Sequence, residues 1–321
     1  MADLGPELHA LALKALTAWE LKDARLRPIG ISENASFRVD TPDGRYVLRI
    51  HRPGYHTLAE LESEHAWTDA LIKAGVDVPV PTRTREGRGY VTLPFEDGER
   101  HIGMLEWVDG ELLHDVIRRN PSDFARHFRA VGRIAAAIHN QACHWTAPDG
   151  FCRHRLDVEG LLEDNAFWGR FWNLPQMNNA QREVIGSARR AITEELSRLG
   201  YESQTFSLIH ADLHTHNLVV GERGLHVIDF DDAAFGWHHY ELAVALHRHC
   251  GEDRFADIQA ALIDGYRDVR SLADSVVAML PMFLLVRSLV HLAWRYQRPE
   301  HGADLEEDIE EAVQEARDWM G

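Results

Sequence analysis

Lysine is nearly missing from this chain. Of 34 basic residues only Lys14, Lys22 and Lys73 are lysine, and the rest are arginine. Chemistry that needs a lysine must use one of three positions. Cysteine is scarce as well. Cys143, Cys152 and Cys250 are odd in number and without C-x-x-C spacing, so no disulfide framework or thiolate zinc site is encoded. Such usage suits a reducing cytosol. Basic charge is in deficit, 34 residues against 51 acidic ones, a net −17. That argues against nucleic acid as the main partner, because phosphate neutralisation needs a basic face. It argues equally against an anionic membrane surface. Long apolar runs are lacking too. The most apolar stretch, residues 276–286, is about half the ~20 residues a span requires and contains Pro281, so a buried helix is expected there. The first residues carry neither a basic n-region nor an apolar h-region, so no signal peptide is expected and a cytoplasmic location is. No zinc-protease H-E-x-x-H occurs among the 20 histidines, and His214, His216, His238, His239, His247 and His249 read as hydrogen-bonded or surface groups.

What is present is an ordinary globular composition, with 45% apolar and 26% charged residues. At ~150 residues per domain, 321 residues allow two domains or one bilobal unit. The pattern changes near residue 110. Before it, residues 35–39 and 45–51 flank Thr41-Pro-Asp-Gly44, a hairpin turn. A second hairpin, 88–93 with 101–108, joins around Asp97-Gly98. One helix, 58–74, lies between them and stops at Gly75. After residue 110 the chain is mostly helical. A helix runs through Phe124, Phe128, Val131, Ala135 and Ile138 behind Ser122-Asp123 as an N-cap pair, and another through Val184, Ile185, Ala188, Ile192, Leu196 and Leu199 up to Gly200. A short β island spans 218–230. The acidic segment 304–319 reads as a solvated helix face. The expected plan is α+β, with a small β-rich lobe carrying one helix (1–108) and a large helical lobe (109–321).

The chemistry concentrates in His210-Ala-Asp212-Leu-His214-Thr-His216-Asn217 and in Ile228-Asp229-Phe230-Asp231-Asp232. Residues 218–220 and 225–228 form a hairpin over Gly221-Glu-Arg-Gly224, which brings Asn217 and Asp229 to the same end, with Asp212 in the entering loop. Phosphoryl transfer needs such a set: a carboxylate to accept the proton of the attacking hydroxyl, and oxygen ligands for Mg²⁺. Asp212 would be the base, and Asn217 and Asp229 the metal ligands. The D-x-x-x-x-N spacing before a strand ending in Asp-Phe is that of kinase catalytic and metal loops. Of three glutamates on the 58–74 helix, Glu64 shares a face with Leu61, Thr68 and Leu71; Glu60 and Glu62 compete with it. A charge on an apolar face needs a partner, and Arg49 in the 45–51 strand is the natural one.

These motifs resemble the aminoglycoside phosphotransferase and choline kinase family, whose hallmarks are a His-x-Asp-x-His-x-x-Asn loop and an Ile-Asp-Phe/Trp motif, here His210 to Asn217 and Ile228 to Phe230. The likeness runs the full length. Phe235-Gly236-Trp237 and Tyr240-Glu241-Leu-Ala243 also resemble the family, which usually has Asp where Glu241 stands. The type II homoserine kinase-like and stress-response kinase-like branches are similar through this half. The resemblance implies a bilobal protein kinase-like fold, ATP and Mg²⁺ bound between the lobes, and transfer of the γ-phosphoryl group to a hydroxyl. It puts Arg49 in the usual lysine slot, Ser32 and Asn34 in the phosphate loop, and the adenine near Leu105 and Trp107. Trp168 and Trp237 could wall the acceptor pocket or be core; Glu241 could touch the acceptor, and Asp231 and Asp232 could touch a second Mg²⁺ or a cationic group of the acceptor, or equally be solvated loop acids. His210-Ala-Asp212 lacks the arginine of H-R-D, and only about ten residues separate Asp229 from Tyr240, so no long activation segment is encoded. The expected acceptor is a small molecule, an aminoglycoside, amino alcohol or hydroxy amino acid such as homoserine. A stress-response type Ser/Thr protein kinase, an inactive nucleotide-binding module and a zinc hydrolase are the alternatives. Oligomeric state is not encoded legibly.

Overall fold

The computed structural model describes residues 5–31, 33–96, 98–299 and 304–321. In chain order the elements are α1 (Pro6–Leu16), β1 (Arg25–Ile31), β2 (Ala35–Asp40), β3 (Arg45–Ile50), α2 (Leu58–Lys73), β4 (Tyr90–Phe95), β5 (Gly98–Glu106), β6 (Glu111–Leu112), α3 (Leu113–Arg119), α4 (Phe124–His144), β7 (Arg155–Leu156), α5 (Val158–Leu162), α6 (Asn179–Leu199), β8 (Phe206–Ile209), β9 (Leu218–Gly221), β10 (Gly224–Val227), β11 (Ala234–Trp237), α7 (His238–His247), α8 (Phe255–Arg267), α9 (Asp274–Val277), α10 (Leu280–Tyr296) and α11 (Leu305–Met320). The architecture is the expected α+β one. The chain forms two compact units that are not contiguous stretches: residues 1–111, 146–153 and 219–228 make the first, and 112–145, 154–218 and 229–321 the second. The hairpin residues 219–228, which a cut at 108/109 puts in the helical lobe, cluster with the first unit.

The first unit is built on a five-stranded antiparallel sheet of order β1-β2-β3-β5-β4. Its core is Phe37, Val39, Leu48, Ile50, Ile102 and Met104 against Leu11, Ala12, Ala15 and Leu16 of α1. That helix corrects the expectation of a single helix in this region. Pro6 at its first turn presets φ, and its apolar residues recur one turn apart, a pattern short enough to be overlooked beside the strands. In α2, Thr57 and Glu60 form a capping box, Glu62 is exposed, and Glu64 is buried with Leu61, Thr68 and Leu71.

The second unit has a small sheet of order β7-β11-β8 and a helical core drawn from α6, α7, α10 and α11. Helices α4 and α8 approach closely because glycine faces glycine's neighbours on both sides. A Cβ on Gly132 would stand 2.0 Å from the Leu262 carbonyl oxygen, and one on Gly265 1.9 Å from that of Arg129. Asp123 stands at the N-cap of α4 but makes no side-chain cap, since a 3₁₀ turn over Pro121–Asp123 already leads into the helix. The apolar run extends further than residues 276–286: residues 274–296 are long and apolar enough to cross a membrane by length and composition. Half of its most apolar stretch is buried, and Phe283, Val286 and Leu289 of α10 lie in the core, with Leu280 buried as well.

Candidate active site

The catalytic loop leaves β8 at Ile209, and β8 is held by antiparallel pairing with β11. Three features fix its path. Ala211 adopts φ 64°, a left-handed conformation that an alanine takes only where its surroundings impose it. The His210 ring, fully buried, accepts the Asp212 N–H at Nδ1 over 3.2 Å and meets Phe230 edge-on at 4.6 Å between centroids. Below the loop, Glu241 of α7 accepts the N–H groups of His210 and Ala211, each at 2.8 Å, one on each carboxylate oxygen. Glu241 is completely buried, and burial raises its pKa to about 7 against the lowering effect of those two hydrogen bonds. It therefore supports the loop from behind and does not face an acceptor. This corrects the sequence expectation.

The Asp212 carboxylate is engaged on both oxygens. Oδ1 accepts from Arg287 Nη2 of α10 at 2.9 Å; Oδ2 accepts from Asn217 Nδ2 at 2.8 Å and lies 3.3 Å from His214 Nε2. Burial pushes its pKa up, but His214, Arg287 and His210 together hold the carboxyl well below its usual range. Asp212 thus stays ionised at neutral pH and keeps a fixed direction. The Asn217 amide nitrogen also donates to the Asp212 carbonyl at 2.9 Å, so its Oδ1 is the atom turned away and able to meet a cation. Asp229 follows β10 in a left-handed conformation, φ 67°. Asp232, half-buried, acts electrostatically on Arg287 and Tyr240.

In the first unit, Arg49 sits mid-strand in β3, opposite Ser36 and Gly103. Glu64 is 5% exposed, and Arg153, itself buried, lies 3.6 Å from its carboxylate. Arg153 also donates to the Glu60 carbonyl. Neither Arg153 nor Arg287 was singled out in the sequence. The turn between β1 and β2 holds Asn34, buried, with Oδ1 accepting the Arg52 N–H at 3.0 Å. Ser32 lies outside the described residues. At the end of β5, the Glu106 N–H donates to the Val80 carbonyl and the Trp107 N–H to that of Arg45, so neither amide is left for a base. Trp168 and Trp237 are 3% and 0% exposed and belong to the core of the second unit. The Trp237 indole donates to the Gly200 carbonyl. Of the two readings the sequence leaves open, pocket wall or core, both residues take the core one.

Comparison with known proteins identifies the family and the fold. The phosphotransferase enzyme family (APH) matches residues 25–274. The structure of a microcompartment-associated aminopropanol kinase superposes with a TM-score of 0.81 at 33% identity, over 96% of this chain and 94% of that one. Amicoumacin kinase hAmiN, in complex with AMP-PNP, Ca²⁺ and Ami, shares the fold with a TM-score of 0.79 at 18% identity, over 97% and 94% of the two chains. A homoserine kinase of Mesorhizobium japonicum is 27% identical over 78% of this chain and 73% of its own length. The chain belongs to the phosphotransferase enzyme family, and it is a kinase-type enzyme that acts on a hydroxyl group.

Proposed function

We propose that the protein transfers the γ-phosphoryl group of ATP to the hydroxyl of a small molecule, an amino alcohol, an aminoglycoside or a hydroxy amino acid. The observation that carries this reading is the clamped Asp212. Its carboxylate is ionised, aimed by Arg287 and Asn217, and set on a loop whose backbone is pinned by Glu241. In a loose transition state the base mainly orients the nucleophile, and a rigid, ionised carboxylate does that. The kinase activities named for the aminopropanol and homoserine relatives support a small acceptor.

The donor set suits a hard cation: Asn217 Oδ1 and the Asp229 carboxylate are oxygen ligands, and Mg²⁺ typically takes one or two carboxylates and fills its remaining sites with water and phosphate oxygens. When bound, such an ion would neutralise charge on the phosphates. In the first unit, Arg49 is assigned to the nucleotide phosphates with Glu64 to orient it, and arginine can hold phosphate in a bidentate manner. Asn34 would contribute through the turn it braces, and Leu105 through its apolar side chain. Asp232 stands near the clamp and is assigned to the acceptor side.

The test is ADP release from ATP and Mg²⁺, with and without a panel of amino alcohols, aminoglycosides and hydroxy amino acids. Stimulation by one class supports the reading. A flat panel with no measurable nucleotide binding contradicts it.

A further inference from the structure

A cavity of about 620 Å³ opens in the second unit beside the catalytic loop. His214 and Arg287, both in contact with the Asp212 carboxylate, line it. Its walls carry opposite charge. The end of α7 and the face of α10 bring Arg248, Arg287 and Arg295; α11 brings Asp308, Glu311 and Glu315. Part of this charge is matched by ion pairs, and Glu315 is hydrogen-bonded to Ser288. Arg287 pairs with Asp212 and Arg295 with Asp308. Two groups are not so paired. Among the described residues Arg248 and Glu311 make no direct ion pair, and the Asp212 carboxylate acts on Arg248 from beyond contact distance.

Arg248 and Glu315 are reached by water, yet desolvation lowers the pKa of the first and raises that of the second. His247 and His291 add no positive charge, because burial lowers their pKa values to about 3 and about 2. Arg248 is a permanent positive charge lining the same cavity as the α11 carboxylates, and the carboxylate that acts on it is Asp212. The segment read from sequence as a solvated acidic face is anchored by Ile309, Ala312, Val313 and Ala316, and turns several of its acids to the cavity.

We propose that this cavity is the acceptor site and that it selects a small hydroxyl compound carrying both an acidic group and an ammonium, the acid held by Arg248 and the ammonium by Glu311 and Glu315. The proposal rests on Asp212 as the base, since His214 and Arg287 tie the cavity to that residue. An acceptor with an ammonium alone would leave Arg248 without a direct carboxylate partner, balanced only by the longer-range effect of Asp212. An acceptor with an acid alone would lie against the α11 carboxylates. Each mismatch disfavours the wrong compound more than it favours the right one.

The experiment uses the full chain with ATP and Mg²⁺ and compares matched acceptors. L-homoserine is set against 3-amino-1-propanol and 4-hydroxybutanoate, and L-threonine against 1-amino-2-propanol. Within one set, the hydroxy amino acid is expected to exceed its amine-only partner in kcat/KM by at least about tenfold, the scale of one charged hydrogen bond. Arg248→Gln should lower that ratio by about the same factor, and Arg248→Lys should restore part of it. The double variant Glu311→Gln with Glu315→Gln should raise KM for every amine-bearing acceptor. An amine-only compound used as well as its hydroxy amino acid partner, with a ratio unmoved by Arg248→Gln, overturns the proposal. If no compound stimulates ADP release while calorimetry shows nucleotide binding, the acceptor class is wrong and the kinase reading survives. If calorimetry shows no nucleotide binding, the kinase reading itself fails.

Discussion

Arg287 Nη2 sits 2.9 Å from Asp212 Oδ1, with side-chain exposures of only 12% and 21%. The two residues come from α10 and the catalytic loop, 75 positions apart. Through this contact a core helix sets the direction and the charge of the carboxylate proposed to act as base.

Removing the guanidinium has a signed consequence. Asp212 has a depressed pKa in the fold, so its stabilising contribution is present above the ordinary carboxylate range and is lost as pH falls through the folded value. Arg287→Met should therefore destabilise the protein at pH 7 by roughly 2 kcal/mol, and the deficit should shrink in acid. Urea unfolding of both proteins at pH 7 and in the acid range checks this. A deficit equal at both pH values contradicts it.

Glu241 behaves with the opposite sign. Its pKa is raised to about 7, so the stability it contributes is greatest below the ordinary glutamate value and falls as pH rises through about 7. Glu241→Gln loses this dependence. It also turns an amide N–H₂ toward one of two backbone donors, so a loss of about 1–3 kcal/mol at acid to neutral pH is expected. Thermal unfolding from pH 5 to 8 should show a flatter profile for the variant.

Much of the site is legible in the sequence for a physical reason: its parts are local. Asp212, His210 and Asn217 lie within eight positions, and their mutual hydrogen bonds follow from that spacing. Glu64 is legible because a charge on an apolar stripe must be partnered, and it is buried as the stripe requires. The same argument applies to Arg287, which interrupts an apolar helix, but its partner lies in a distant loop that periodicity does not reveal. Trp168 and Trp237 stay ambiguous in the sequence because aromatic spacing is the same for a core and for a pocket wall, and the fold places them in the core. Glu241 is one methylene longer than the aspartate usual in the family, and only the coordinates show its carboxylate beneath the loop. Arg153 reaches Glu64 from a segment without periodicity, so its role left no pattern to read.

The crossing of α4 and α8 yields a prediction independent of chemistry. Gly265→Ala would put a Cβ 1.9 Å from the Arg129 carbonyl oxygen, and the helices would have to separate. The gain in helix propensity of alanine over glycine, about 1 kcal/mol, is smaller than the overpacking penalty of up to about 3 kcal/mol. A net destabilisation is expected by chemical denaturation, with Gly132→Ala behaving alike.

Divalent metal is open to direct test. Chelation should abolish ADP release, and added Mg²⁺ should restore it. Asn217→Asp should shift the Mg²⁺ concentration needed for half-maximal rate, because the oxygen ligand gains charge while the hydrogen bond to Asp212 is lost. An unchanged Mg²⁺ dependence contradicts the assignment of Asn217 to the metal.

The most direct measurement is turnover by Asp212→Asn beside its nucleotide affinity. The variant keeps the shape of the side chain and removes the charge. Phosphoryl transfer should fall by roughly a hundredfold to ten-thousandfold, while ATP binding measured by calorimetry stays near that of the parent protein. Turnover that survives the substitution would contradict Asp212 as the base.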